Sequence, residues 1–310
     1  MRGPSSHPVL LLLFLTLSVW TAAASGFRIC SYNVQNFNRN KASNYRVIHT
    51  LTRVVSRCDI CLLQDVRDPE SKAVKALLSS LNRETDRYED EYHYKSVSSE
   101  ALGKSADDMQ QYVFIYRTQT ATLTDQYQYR GGQSFIREPF IVQFESKDTM
   151  IKKFILVPLH TDPSQAVQEI DRLYDVFTEV SKKWNNTNVM FLGDFHAACA
   201  YMTRADKKNI RLFTNTKFSW LIRDKVDTTV TDDTNCAYDR IVVYGEPFLK
   251  AIRPFSAKVY NFAKELKLPR SKVLQVSDHF PVEVKLRSSA LLLQATPLLI
   301  LLVQTFLSAL

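Results

Sequence analysis

The sequence predicts an α/β fold in which two β-sheets pack face to face with helices outside. Strand patterns outnumber helix patterns, and several strands follow one another with only turns between them. A simple parallel α/β repeat would instead alternate strands with helices. The strand patterns are segments rich in β-branched and aromatic residues. They cover residues 27–33, 59–66, 112–117, 138–145, 153–159, 188–193, 239–244 and 280–286.

The clearest helix pattern covers residues 163–184. Asp162 suits the N-cap of this helix, and Pro163 suits its first position. Weaker patterns predict helices at about 43–57 and 70–83. Apolar residues of the long helix recur at spacings of four and three, which places them on one face. They are Ala166, Ile170, Leu173, Phe177, Val180 and Trp184.

Residues 1–25 have the layout of a secretory signal peptide. Arg2 precedes a short apolar run at residues 9–20, and small residues follow it. Such a run is too short to span a bilayer comfortably, and the small residues suit a cleavage site. We therefore expect the protein to enter the secretory pathway and to reach the cell surface, membrane-anchored or secreted.

Residues 287–310 form an apolar tail without Lys or Arg beyond Arg287. The tail fits the signal for a glycosylphosphatidylinositol anchor, with Ser288, Ser289 or Ala290 as the attachment site. The polar spacer of such signals is nearly absent, so a membrane-spanning helix is the alternative. Either arrangement ties the protein to a membrane, and the folded domain is expected to cover residues 26–286.

The net charge is modestly positive, at +8 with a pI near 9.1. A basic surface suits a polyanionic partner such as nucleic acid, although so small an excess is also common on solvated surfaces. A sequon at Asn185 predicts an exposed glycan site.

The cysteine count is five. In an oxidising compartment, Cys199 and Cys236 are expected to form a disulfide. Cys30, Cys58 and Cys61 lie in apolar strand-like segments, and we expect them to be core cysteines. A redox or zinc site at Cys58 and Cys61 is less favoured, because the sequence has no second cysteine pair of this kind.

Polar residues stand at the ends of the predicted strands. Carboxylate and amide oxygens suit Mg²⁺, and histidines beside carboxylates suit acid–base work on a phosphate ester. Converging rim positions therefore predict a catalytic site. The rim residues are Asn33, Asp65, His160, Asp194, Asp239, Asp278 and His279.

Six motifs resemble those of the deoxyribonuclease I-like family, within the endonuclease/exonuclease/phosphatase superfamily. They are CSYNVQNF, LLQDVRD, VPLHTDP, LGDFHAAC, DTTVTDDTNCAYDRIVV and SDHFPVEV. The resemblance covers residues 27–286 and is strongest to a membrane-associated branch of the family. It implies a four-layer sandwich of two packed mixed sheets flanked by helices.

The resemblance also implies roles for individual residues. His160 and His279 would be the catalytic histidines, with Asp239 orienting His279. Asn33, Asp65, Asp194 and Asp278 would form the metal- and phosphate-binding rim. A structural calcium loop would involve Asp227, Thr229 and Thr231, with Asp233 as a further candidate. Arg67 and Arg137 would contact the DNA backbone.

Three positions depart from the family pattern. Asp65 replaces a metal-binding glutamate, Gln110 aligns with a glutamate that pairs with the first histidine, and His196 replaces an asparagine near the phosphate. Glutamine can orient His160 by a hydrogen bond but cannot stabilise an imidazolium by charge. Asp107 and Asp108 would repel DNA phosphates unless turned away or screened.

The predicted function is a DNA endonuclease that uses Mg²⁺ or Mn²⁺ and releases 5′-phosphorylated fragments, with activity that the substitutions could reduce. Ca²⁺ would stabilise the calcium loop, and the protein would be a monomer. The alternative is a catalytically impaired protein that binds DNA, actin or another surface partner, although nothing in the sequence supports actin. A third hypothesis, a lipid phosphodiesterase, has no support in the motifs.

Overall fold

The computed structural model describes residues 26–87, 92–132 and 135–289. Within these residues the chain forms twelve strands in two six-stranded sheets. The strands are β1 Arg28–Phe37, β2 Ile60–Val66, β3 Tyr94–Ser98, β4 Gln111–Arg117, β5 Thr122–Gln128, β6 Phe140–Glu145, β7 Lys153–Pro158, β8 Val189–Asp194, β9 Phe218–Trp220, β10 Asp239–Tyr244, β11 Lys258–Val259 and β12 Val282–Lys285.

Both sheets are mixed. The first has the strand order β11-β12-β1-β2-β4-β3, and the second has the order β5-β6-β7-β8-β10-β9. In each sheet one pair is parallel, β1 with β2 and β7 with β8, and the other named pairs are antiparallel.

Helices cover the outer faces of the two sheets. Between the sheets lies one apolar core, which includes Ile29 and Phe114 from the first sheet and Phe154 and Leu192 from the second. Two further cores lie between each sheet and its helices. The predicted four-layer sandwich is therefore confirmed. The helices are α1 Arg39–Ser43, α2 Tyr45–Val55, α3 Lys72–Arg87, α4 Ala166–Lys183, α5 Arg204–Lys207, α6 Arg211–Thr214, α7 Gly245–Ala251, α8 Phe262–Glu265 and α9 Arg270–Val273.

The eight predicted strands are all present. The long predicted helix is α4, preceded by a 3₁₀ turn at Pro163–Gln165, and the Asp162 side chain caps this turn by accepting from the Ser164 amide. The helices predicted at about 43–57 and 70–83 are α2 and α3.

The structure confirms one disulfide and corrects another prediction. Cys199 and Cys236 are joined, as expected. Cys30 and Cys58, expected as separate core cysteines, also form a disulfide, with 6.1 Å between their Cα atoms. The turn before β2 brings Cys58 alongside β1, and this proximity is not visible in sequence spacing. Cys61 is a free, buried thiol, as predicted.

Asn185 is exposed at the end of α4, as a glycan site requires. The predicted signal peptide and nearly all of the predicted tail lie outside the described residues. Across residues 26–87, 92–132 and 135–289, no helix is both long and apolar enough to cross a membrane.

Candidate active site

The predicted rim residues converge because of how the strands run. The parallel pairs β1–β2 and β7–β8 bring their carboxyl ends to one edge of each sheet. Strand β10 runs antiparallel to β8, so Asp239 at its start lies opposite Asp194. Asn33 of the first sheet donates to Asp194 Oδ2 of the second at 3.0 Å. The site therefore spans the edge of both sheets.

Asp194 is the central carboxylate. Its Oδ2 lies 3.7 Å from Nε2 of His160 and 3.6 Å from Nε2 of His279. Burial raises the pKa of Asp194, but the surrounding histidines and Asn33 outweigh burial and lower it. Asp194 is thus ionised and faces both histidines.

Gln64 holds Asp194 in place from inside the sandwich. Its Oε1 accepts from the Asp194 amide at 3.0 Å, and its Nε2 donates to the Leu159 carbonyl at 2.7 Å. Gly193 lies at φ +142°, where a Cβ would collide with the Leu159 carbonyl and with Gln64. Only glycine fits this close approach.

His279 is fixed by a buried carboxylate. Its Nδ1 donates to Asp239 Oδ2 at 2.7 Å, and its amide donates to Ser277 Oγ. Burial alone lowers the pKa of His279, but Asp239, Asp194 and Asp278 outweigh it and raise the pKa to about 10. His279 is therefore a cation at neutral pH.

His160 is in the opposite state. Burial, together with the nearby Arg137 and His196, outweighs the attraction of Asp194 and lowers the pKa of His160 to about 4. Its amide donates to the Tyr112 hydroxyl at 2.9 Å. His160 is therefore neutral at neutral pH.

Gln110 does not orient His160 in the way the sequence suggested. Both Nδ1 of His160 and Oε1 of Gln110 are buried without a hydrogen-bond partner, so no bond joins this ring nitrogen to Gln110. The Gln110 backbone instead pairs with Leu102.

His196 lies beside His160 rather than across the site. The two rings stack with centroids 6.0 Å apart and planes 13° apart. His196 Nδ1 contacts Thr161 Oγ1 at 3.0 Å and Asp194 Oδ1 at 3.4 Å. The imidazole thus fits without displacing the neighbouring groups, and it forms one wall of the site.

Asp65 stands at a bulge in β1 and β2. The register shifts after Asn33 and Leu63, and Asp65 has φ +54°. Its carboxylate accepts from Arg67 Nε at 3.0 Å and from the Asn36 amide at 2.8 Å. Asp65 therefore lies at the rim, and its carboxylate forms an ion pair with Arg67.

Arg137, the second predicted DNA contact, is buried. Its guanidinium donates to Asp108 Oδ1 at 2.7 Å and to the His160 carbonyl at 3.3 Å. Arg67 donates to the carbonyl of Asp107 at 2.8 Å. The Asp108 side chain therefore pairs with Arg137, whereas Asp107 contacts Arg67 through its backbone and keeps an exposed side chain.

A dense group of ligand atoms can hold a divalent ion. One side-chain atom each of Asp194, Asp239 and His279 lies within 4.8 Å of the others. Because protonated His279 has no free lone pair, the two carboxylates are the ligands that remain. The two carboxylates fit a hard cation. Asp278 Oδ1 lies 3.9 Å from His279 Nε2, and its side chain is 38% exposed.

The predicted calcium loop is hydrogen-bonded to the backbone of Asp278, next to His279. Asp227 Oδ1 accepts from the Thr229 amide and from the Cys236 amide, which ties the loop to the Cys199–Cys236 disulfide. The amide of Val230 donates to the Asp278 carbonyl at 2.7 Å. The loop therefore fixes the backbone of Asp278 and His279, and Thr231 lies within it.

The profile of the Endonuclease/Exonuclease/phosphatase family matches residues 30–279. The chain belongs to this family. Human deoxyribonuclease gamma is 41% identical over 283 residues, which are 90% of this chain and 91% of that protein. Mouse deoxyribonuclease-1 is 43% identical, covering 88% and 96% of the two chains. Mouse deoxyribonuclease-1-like 2 is 41% identical, covering 87% and 96%.

Solved family members share the fold. The human Nocturnin catalytic domain with bound sulfate has a TM-score of 0.57 at 13% identity, covering 86% of this chain and 95% of that one. A mannosyl-6-phosphatase of Bacteroides thetaiotaomicron has a TM-score of 0.56 at 15% identity, covering 84% and 99%. At such low identity these likenesses show the fold alone.

Sequence reasoning missed several residues that build the site. Gln64 and Tyr112 lie inside strands, and Ser277 bonds to the Asn33 carbonyl at 2.6 Å. Lys41 donates to the carbonyl of Val34 at 2.8 Å. Burial outweighs the carboxylates of Asp278 and Asp65 and lowers the pKa of Lys41 to about 8. Their only sequence signal is a polar residue within an apolar strand or beside a motif.

Proposed function

We propose that the protein is a divalent-metal-dependent deoxyribonuclease that cuts the DNA backbone endonucleolytically and leaves 5′-phosphates. The observation that carries this proposal is the pair of buried histidines on either side of Asp194, one cationic and one neutral. Two groups whose surroundings push their pKa values apart supply an acid and a base in one site. The deoxyribonuclease relatives supply the substrate class.

The two histidines have complementary tasks in this proposal. Neutral His160 accepts a proton from the attacking water as the water oxygen bonds to phosphorus. Cationic His279 donates a proton to the 3′-oxygen as the bond between phosphorus and that oxygen breaks. Asp239 holds His279 in orientation and stabilises its positive charge. Each proton transfer contributes a factor of about 10² to 10⁴.

A divalent ion would be held by the carboxylates of Asp194 and Asp239, with Asn33, Asp65 and Asp278 as the further rim ligands that the sequence predicts. When bound, such an ion supplies neutralisation of phosphate charge. The hard oxygen donors suit Mg²⁺ or Mn²⁺ at this site. Ca²⁺ would be held by the loop of Asp227, Thr229 and Thr231.

Substrate binding would rest on backbone contacts. The net charge of +8 favours a polyanion, and Arg67 lies at the rim beside Asp65. Arg137 would bind a phosphate only after Asp108 releases it. Low sequence specificity is expected, because contacts to phosphate carry no base information.

One observation favours the alternative function, that of a catalytically impaired protein that binds DNA or another surface partner. Both arginines assigned to DNA are held by Asp107 and Asp108, as they would be in a protein that binds a surface partner and cuts slowly. We rank it below the nuclease because His160, His279, Asp194 and Asp239 are assembled together.

The test is nicking of supercoiled plasmid by the full chain with Mg²⁺ plus Ca²⁺, with Mn²⁺ and with EDTA. We expect metal-dependent nicking that His160→Ala and His279→Ala each reduce by about 10²-fold or more. His49→Ala is the matched control, because His49 lies on α2 in another part of the fold. If the folded wild-type protein nicks plasmid no faster than His160→Ala and His279→Ala, the binding function is favoured.

A further inference from the structure

Phe255 is the most exposed large apolar side chain of the described residues, at 98% exposure. It lies between α7 and β11 at φ +58°, a region that non-glycine residues rarely occupy. The loop is anchored on both sides of this residue. The Arg253 amide donates to the Lys285 carbonyl at 2.8 Å, and Ser256 Oγ donates to the Arg253 carbonyl at 2.6 Å. The fold therefore holds this ring outward.

A groove beside Phe255 combines apolar and basic side chains. Trp220, Val226 and the 41% exposed Leu249 contribute apolar surface. Its lining contains no acidic side chain. We call this surface, with Phe255, the basic apolar groove. Its four exposed cations are Arg223, Arg253, Lys258 and Arg287.

The chain passes this groove immediately before a long uncharged apolar segment. The Arg287 amide donates to the Ala251 carbonyl at 2.7 Å, and Arg287 Nε donates to the Ile252 carbonyl at 3.2 Å. Residues 290–310 then contain no Asp, Glu, Lys or Arg. An uncharged apolar segment beginning three residues beyond the groove would bring the groove to any bilayer that the segment enters.

We propose that the basic apolar groove is a contact surface for an anionic lipid bilayer. Phe255 and Leu249 enter the boundary between headgroups and acyl chains, where aromatic and aliphatic side chains on a basic surface bind. The exposed cations face lipid phosphates and contribute attraction to an anionic surface. Lys258 contributes least, because its Nζ already lies 3.7 Å from Glu283 Oε1. The anchor or span expected of the tail would tether the chain, whereas the groove fixes its orientation.

The strands place the catalytic site away from Phe255 and Leu249, whereas the Ile222–Arg223 end of the groove lies nearer to it, because Arg240 beside Asp239 donates to the Ile222 carbonyl at 2.8 Å. Strand β10 begins at Asp239 in the site and ends at Tyr244, where α7 leads to the groove. Strand β12 begins just after His279 and ends at Lys285, beside the Phe255 loop. Six strand residues span about 20 Å. A bilayer that Phe255 and Leu249 enter would therefore leave the site open to substrates in solution.

A fluorescent label at position 255 tests this proposal in the full chain. Phe255→Cys can be labelled selectively, because four native cysteines are in disulfides and Cys61 is buried. Tyr45→Cys is the matched control, since Tyr45 is 71% exposed on α2 and does not line the groove. Both proteins, with an environment-sensitive dye, are reconstituted into phosphatidylcholine vesicles with and without phosphatidylserine.

We expect emission from position 255 to rise several-fold and shift to the blue when phosphatidylserine is present, with no such change at position 45. Because both proteins carry the same tail, the difference reports on the groove. Equal responses at the two positions, or no response at 255, would overturn the proposal. Emission already blue-shifted before vesicles are added would also overturn it, since the chain's own tail would then cover the groove.

Removing one positive charge from the groove tests separately whether its cations contact lipid phosphates. Arg223→Gln in the labelled protein is expected to require more phosphatidylserine for the same emission, because each cation removed weakens attraction to an anionic surface about fivefold. Lys182→Gln, which changes an exposed lysine near the end of α4, is the control and should leave the response unchanged. An unchanged response in Arg223→Gln would contradict the assignment of the groove cations to lipid phosphates.

Discussion

Asp239 and His279 form the tightest ion pair among the histidines of the site, at 2.7 Å with both side chains buried. Folding raises the pKa of His279, so its protonation stabilises the folded state. This stabilisation is complete below the unfolded pKa of about 6.5. This stabilisation is lost as the pH rises through the folded pKa of about 10. The pair therefore makes stability depend on pH above neutrality.

Asp239→Asn is expected to lower the free energy of unfolding by about 3 kcal/mol or more at pH 7, because it leaves a buried imidazole without its counter-ion. The deficit should shrink as the pH approaches 10, where the wild type also loses the protonated His279. Urea unfolding in EDTA at several pH values measures this. Asp278→Asn is the comparison and should give a smaller deficit, because Asp278 Oδ1 lies farther from the ring, 3.9 Å from Nε2, on a 38% exposed side chain. A deficit that does not change with pH would contradict the ion pair.

His196→Asn tests whether the third histidine takes part in the reaction. Asparagine tolerates the left-handed backbone that His196 adopts at φ +47°, so the variant should fold. The change removes a ring that stacks on His160 and helps lower its pKa. We expect cleavage rates within about threefold of wild type, measured under saturating DNA. A loss greater than tenfold would show that His196 contributes to catalysis.

The strand-end residues of the site could be predicted from sequence, whereas their supports could not. Asn33, Asp194 and His279 each interrupt an apolar strand pattern at its end, and this is visible along the chain. Gln64 lies within a strand and acts across the sandwich on Leu159 and Asp194, residues far away in sequence. Such contacts depend on how the sheets pack, which no local pattern contains.

The segment from Leu102 to Gln110 is the element that most separates the sequence prediction from the structure. The sequence predicts that Asp107 and Asp108 repel DNA unless they are turned away or screened. Asp108 instead neutralises the buried Arg137, and Lys104 forms an ion pair with Asp162 at 2.7 Å. The segment thus forms ion pairs with Arg137, which donates to the His160 carbonyl, and with Asp162, two residues after His160.

Asp108→Asn is expected to free the Arg137 guanidinium and to lower KM for DNA by about threefold to tenfold, because one more cation can reach a phosphate. Asp107→Asn is the matched control: it removes the same charge, but Asp107 binds Arg67 only through its backbone carbonyl. Steady-state cleavage at several salt concentrations compares the two. If both variants change KM equally, net charge and not release of Arg137 is the cause.

Edge strands explain what the strand prediction missed. The four unpredicted strands, β3, β5, β9 and β11, are the four outer strands of the two sheets. β5 is largely exposed, and β11 is only two residues long. A strand paired on one side needs less apolar surface, so the pattern that identifies central strands is weak there.

At the scale of the whole molecule, two disulfides join parts of the chain that are distant in sequence. Cys30–Cys58 links β1 to the turn before β2, across a separation of 28 residues. Cys199–Cys236 links the segment after β8 to the calcium loop. The first supports the core and the second supports the site.

Replacing both Cys30 and Cys58 by alanine is expected to cost about 3 kcal/mol of unfolding free energy, as the loop length predicts. Activity of the folded fraction should be retained, because neither residue touches the site. Replacing Cys199 and Cys236 should instead reduce cleavage, since the calcium loop fixes Asp278 and His279. Thermal unfolding and nicking rates measure both. Equal loss of activity in the two double variants would contradict this division.

The central claim is that His279 protonates the leaving oxygen and His160 activates water. DNA with a bridging 3′-sulfur at the cut site tests it most directly, because a thiolate leaves without protonation. The account predicts that this substrate restores cleavage by His279→Ala to within about tenfold of wild type and leaves His160→Ala slow. Restoration of His160→Ala alone would reverse the two roles, and restoration of neither variant would contradict acid catalysis by His279.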